Sequence, residues 1–116
     1  MLNVDMKFNK GLLVVRLSGV LNKSTSHTLN NVLTTIKENG IKYVLFNLYK
    51  LEYVDNYGLD IIKFIYQEIK DNKGKFIICP ITKLLEYNTN IMENLYQINE
   101  EEKAYDIAKL WMIEQN

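Results

Sequence analysis

Cysteine and histidine occur once each in these 116 residues, and there is no net charge. The lone Cys79 excludes an internal disulfide, as expected of a reducing compartment. The lone His27 excludes a paired-histidine metal site and falls in a polar stretch that reads as a solvated turn. Lys+Arg and Asp+Glu are 14 each, and no basic stripe gathers anywhere. A nucleic-acid binder needs a positive footprint to displace counterions, so direct nucleic-acid contact is not expected. No apolar run exceeds about five residues, against the roughly 20 that span a bilayer, so no membrane insertion is expected. The first ten residues lack the apolar core of a signal peptide, and the expected location is cytoplasmic. Neither G-x-G-x-x-G nor G-x-x-x-x-G-K-[ST] is present. No catalytic constellation can be assembled: no catalytic residue is nominated, no metal or cofactor is implied, and an enzyme is not expected.

What is present is a core's worth of apolar residues, 47% of the chain, in alternating periods. The length suits one domain over 1–116. Val4, Met6 and Phe8 alternate with polar residues, Asn9-Lys10-Gly11 marks a turn, and Leu12 to Ser18 alternates again. That pattern predicts an antiparallel hairpin. Leu29, Val32, Leu33 and Ile36 predict a helix over about 26–39, capped by a Ser or Thr between Ser24 and Ser26 and stopped at Gly40. Tyr43 to Leu48 and Phe76 to Cys79 are continuous apolar runs, the signature of strands buried on both faces. Between them, 57–70 predicts a helix with a polar stripe of Asp60, Lys63, Gln67 and Lys70. A short helix is expected over Thr82 to Tyr87, an edge strand near Leu95 to Ile98, and a last helix over 101–113 opened by an Asn99/Glu102 capping box. Leu45, Phe46, Ile62, Ile65, Ile78, Ile107 and Trp111 are the expected core. Glu100 to Glu102 reads as a solvated helix start. The fold class is α/β, a mixed central sheet with an N-terminal hairpin and about four helices.

One stretch is more specific. Asn47-Leu48-Tyr49-Lys50-Leu51-Glu52-Tyr53-Val54-Asp55-Asn56-Tyr57-Gly58-Leu59 joins a buried strand to a helix start. It resembles the signature loop of STAS domains, the family of bacterial anti-sigma factor antagonists, in which an N-L pair leads through an aromatic or apolar position to D-S-[ST]-G-L. Arg16 to Asn22 is similar to that family's R-L-x-G-E-L-D, and Gly74 to Cys79 to its G-G-x-x-x-(apolar) strand. The resemblance runs from about Val4 to Leu110 in the element order given above.

The resemblance implies a regulatory protein-binding module. In such domains the serine after the aspartate caps the second helix and is phosphorylated by an anti-sigma protein kinase. The unphosphorylated form binds the kinase and frees a sigma factor. In this chain Asp55, Gly58 and Leu59 match, whereas Asn56 occupies the phosphoserine position, Tyr57 the next hydroxyl position, and Asn22 an acidic position. The expected helix cap is Asn56, and the serine switch is expected to be absent. The expected partner is an anti-sigma factor or serine protein kinase. The surface it would meet comprises Asn22, Lys23, Ser24, Asp55, Asn56, Tyr57, Gly58, Asp60 and Lys63. Two other readings remain open: a STAS-type subunit of a transporter or stress-signalling assembly, and a small anion or nucleotide binder using the helix start at Asn56-Tyr57-Gly58.

Overall fold

The computed structural model describes residues 1–79, 96–97 and 101–114. Its order is β1 (Leu2–Asn9), β2 (Leu12–Leu21), a 3-10 turn (Ser26–Leu29), α1 (Asn30–Asn39), β3 (Tyr43–Val54), α2 (Asn56–Asp71), β4 (Lys75–Cys79), β5 (Tyr96–Gln97) and α3 (Glu101–Glu114). The expected helix over 82–87 and the capping residue Asn99 lie outside the described residues. The sheet runs β1-β2-β3-β4-β5, with β1 antiparallel to β2 and every other pair parallel. This is the expected mixed sheet. The hairpin closes on Lys10 and Gly11, both with positive φ, the geometry of a two-residue turn that matches strand twist.

The unbroken apolar run of β3 is explained by a core on each face of the sheet. Val44, Phe46 and Leu48 meet Ile36 of α1 and Ile62, Ile65 and Ile69 of α2. Tyr43 and Leu45 point the other way, into a smaller core with Leu12, Val14, Ile77, Cys79, Ala104, Ala108 and Trp111. Trp111 stacks on Tyr43 with ring centroids 5.7 Å apart. Six of the seven expected core residues are buried; Ile107 is only partly so, packed at the margin of the smaller core.

Three local expectations need correction. The helix expected over 26–39 begins as a 3-10 turn, and no side chain caps it. Thr25 stands at the cap position, but its hydroxyl donates back to Val20 O (2.8 Å) and accepts from Asn22 N (2.9 Å). Strand β3 continues to Val54, six residues past the expected end, because β2 also runs on and pairs with it as far as Leu21–Val54 through two register shifts. The stretch that resembles a signature loop is therefore mostly strand.

Glu101 is the third correction. It is not a solvated helix start but a clasp between α3 and the sheet: Arg16 donates to it through Nε (3.1 Å) and Nη2, and Asn47 through Nδ2 (2.8 Å). The Arg16 hydrogen bonds hold the Glu101 carboxyl below its ordinary value; burial opposes the shift and Asn47 adds to it. A depressed carboxylate stabilises the fold fully above its unfolded pKa and ceases to do so as pH falls through the folded value. Glu101→Gln should therefore be less stable than the parent at neutral pH. The gap should narrow as pH falls from neutral through the ordinary Glu value, about 4.3, and on below it. Urea titrations at neutral pH and below that value measure it, and a gap that stays constant would sever Glu101 from the clasp.

Candidate functional site

The candidate residues converge where β2 and β3 end, at one rim of the sheet. The β2–β3 ladder is extended past the strands by Asp55 N donating to Leu21 O at 3.1 Å. Asp55 then leaves the strand with φ −99° and ψ −174° and caps α2. Its Oδ1 accepts from Gly58 N at 2.8 Å, and its Oδ2 from Lys23 N at 3.1 Å. One carboxylate thus ties the helix start to the loop after β2. The cap is Asp55 and not Asn56, which is the first helical residue. Aspartate serves here because its two oxygens can accept from two separated backbone N–H groups, one of them an otherwise unpaired donor of the first turn.

The loop after β2 is braced from within. Asn22 Oδ1 accepts from Thr25 N (3.1 Å), Ser26 N donates to Asn22 O (2.7 Å), and Ser26 Oγ donates to Lys23 O (3.2 Å). The Asn22/Thr25 spacing is a local side-chain-to-backbone pattern of the kind that rigidifies turns. Its i, i+3 spacing is a signal present in the sequence. Lys23 and Ser24 are left exposed at the tip, with Lys23 Nζ 5.1 Å from the centre of the Tyr57 ring.

Gly58 is buried under this loop. A Cβ there would come 2.6 Å from Leu21 Cγ, 2.8 Å from Val54 Cγ2 and 2.9 Å from the Leu21 carbonyl oxygen. The glycine is required by close approach of the helix to the sheet rim. Gly58→Ala should cost about 1–3 kcal/mol, the usual range for overpacking. Chemical denaturation measures the loss, and an unchanged midpoint would mean that the rim gives way freely.

What remains outward is narrow. Asn56 and Tyr57 are exposed at the first turn of α2, Asp60 is exposed one turn on, and Lys63 is half-buried. Phe64, outside the polar stripe expected of this helix, is nevertheless 49% exposed. It stands seven residues after Tyr57, so both rings fall on the same side of α2. That spacing, with Asp60 and Lys63 between the rings, was the available signal. The structure thus gathers Asn22, Lys23, Ser24, Asp55, Asn56, Tyr57 and Gly58 at the rim, with Asp60, Lys63 and Phe64 continuing down the helix. An open groove of about 460 Å³ lies elsewhere, beside Arg16, Asn47 and Tyr49, and no candidate residue lines it.

The resemblance seen in the sequence now has a structural basis. Arg16 and Asn47 hold Glu101, Gly19 has φ +92° with Met1 O against it, Asp55 caps α2, and Gly58 packs on Leu21. The sequence pattern of the STAS domain family matches residues 3–94. The chain belongs to the STAS domain family. Similar STAS proteins include an anti-sigma F factor antagonist of Paenibacillus polymyxa, 28% identical over 102 residues, which span 84% of this chain and 83% of that protein. Solved structures that share the fold include two of one protein. One is the anti-sigma factor antagonist SpoIIAA in its unphosphorylated form, with TM-score 0.79 and 16% identity over 92% of this chain and 98% of that one. The other is the Bacillus cell fate determinant SpoIIAA in its phosphorylated form, with TM-score 0.76 and 16% identity over 91% and 99%. Most of the STAS signature in this chain is architecture. Within the Asp55–Leu59 stretch, Asn56 and Tyr57 are the positions left facing solvent. Among the described residues no helix is long and apolar enough to cross a membrane.

Proposed function

We propose that this STAS domain is an anti-sigma factor antagonist that works without a serine switch. Its partner would be an anti-sigma factor or a serine protein kinase of that class. The observation that carries the reading is the division of labour at the rim. Asp55 and Gly58 are consumed in building it, while Asn56 and Tyr57 stand exposed on a rigid helix start. The contact surface is assigned to Asn22, Lys23, Ser24, Asn56, Tyr57, Asp60 and Lys63, with Phe64 at its far end. Tyr57, packed beneath the Lys23 ammonium, is the anchor, since aromatic residues with cationic neighbours recur at binding hot spots.

An antagonist of this kind is turned off by a phosphate, which adds about −1.5 to −2 charges at one point of a contact surface. The amide of Asn56 has no hydroxyl to receive it. The chain therefore binds its partner whether or not ATP is present. Affinity capture from the native cell identifies that partner by mass, and incubation with it and ATP should leave the intact mass of this chain unchanged. Recovery of no anti-sigma factor or kinase, or a gain of one phosphate mapped to Tyr57 or Ser24, would count against the switchless reading.

A further inference from the structure

β1 is the outermost strand of the sheet, and among the described residues nothing pairs with its far side. The hairpin geometry determines which groups it leaves open. With a two-residue turn, the flanking pair Asn9–Leu12 exchanges both backbone hydrogen bonds. Alternation then turns the N–H and C=O groups of Asn9, Lys7, Asp5 and Asn3 toward β2, and those of Phe8, Met6 and Val4 outward. The same outward-bonding residues carry the apolar side chains. Phe8 is 60% exposed and Met6 37%. The pairing with β2 runs through all eight residues without a bulge, and β1 contains no proline. A long, regular edge of this kind is a template for another strand.

We propose that a second copy of this chain occupies the edge, by antiparallel pairing of the two β1 strands about a two-fold axis at Met6. Charge selects the occupant and the register. Three neighbouring registers let the open backbone groups face one another. Centred on Asp5, the pairing sets two aspartates opposite each other; centred on Lys7, it sets two lysines opposite each other. Both arrangements are unfavourable. Centred on Met6, it sets Asp5 opposite Lys7 of the second copy, twice, on one face of the sheet. On the other face Met6 meets Met6, and Phe8 meets Val4. About six backbone hydrogen bonds form in that register, two for each pair of outward-bonding residues. Asp5 binds Arg16 through Oδ2 alone (3.3 Å), so its other oxygen is available to the lysine. The contact is isologous and closes on itself as a dimer. The two β2 strands then run in opposite directions, which puts the two Asn56 surfaces at opposite ends of one continuous sheet. Each can take a partner without obstructing the other.

A single strand pair is a small interface, so self-association belongs in the range of about 1 μM to about 1 mM. Sedimentation of the full chain across that range should pass from monomer mass to twice that mass. Asp5→Lys and Lys7→Asp should each weaken the dimer about tenfold or more, because each sets like charges opposite each other. The double variant should recover it, because the swap restores both attractive pairs. Circular dichroism verifies folding of each. Where the double variant does not fold, Met6→Lys replaces it. That change touches only the axis, where it sets two ammonium groups together, and should leave a folded monomer. A parent that stays monomeric throughout, single variants as dimeric as the parent, a folded double variant that does not recover, or a Met6→Lys dimer overturns the proposal.

Discussion

Asn56→Asp should bind the captured partner roughly tenfold or more weakly than the parent while folding at least as stably. The two halves of this expectation have separate causes. Asn56 is the first residue of α2, and its neighbour Asp55 already supplies the cap, so the substitution removes no structural hydrogen bond among those at the rim. A carboxylate at a helix N-terminus gains about 0.3–1 kcal/mol from the helix dipole. Against the partner the same charge must be desolvated on a surface shaped for a neutral amide. Disrupting a well-packed contact at a hot spot costs about 2 kcal/mol or more, so the binding loss outweighs the local gain. Asn56→Ser is the companion variant. It should bind normally and, with a competent kinase and ATP, acquire phosphate-dependent release. Titration calorimetry with the captured partner separates the outcomes. Equal affinity for the parent and Asn56→Asp would move the interface off this rim and remove the main support for an antagonist role.

Trp111→Ala should cost about 3–5 kcal/mol of stability, the range for truncating a buried large aromatic. Trp111 is 6% exposed and anchors α3 to the sheet by stacking on Tyr43. The core on that face is the smaller of the two, with one helix covering it among the described residues, and alanines at 104 and 108 bring that helix close. Few neighbours can shift to fill the space, so the cavity term should be large. Ile113→Ala, on the same helix but 63% exposed, is the control and should stay within about ±0.5 kcal/mol. The chain has a single tryptophan, so the comparison is made by circular dichroism in urea and not by fluorescence. A loss within the control's range would mean that α3 does not dock through this residue.

The sequence by itself determined the element order, because periodicity reports which faces are buried. Alternation marked β1 and β2, the unbroken run Tyr43 to Leu48 marked a strand covered on both faces, and the 3.6-residue stripe marked α1 and α3. It also brought Asp55, Asn56, Tyr57 and Gly58 together as one motif, because they are contiguous in the chain. The tertiary structure decided what each of them does. Asp55, a local cap through Gly58, gained a second task because Lys23, more than thirty positions earlier, donates to its other carboxylate oxygen. Gly58 became obligatory because Leu21 lies against it. Glu101 passed from solvated to clasped because Arg16 and Asn47, on two strands of the sheet, converge on it. Phe64 stayed outside because α2 turns its other side to the sheet. Each of these outcomes depends on contact between residues remote in the chain, and periodicity within one segment carries no record of what the next segment places against it.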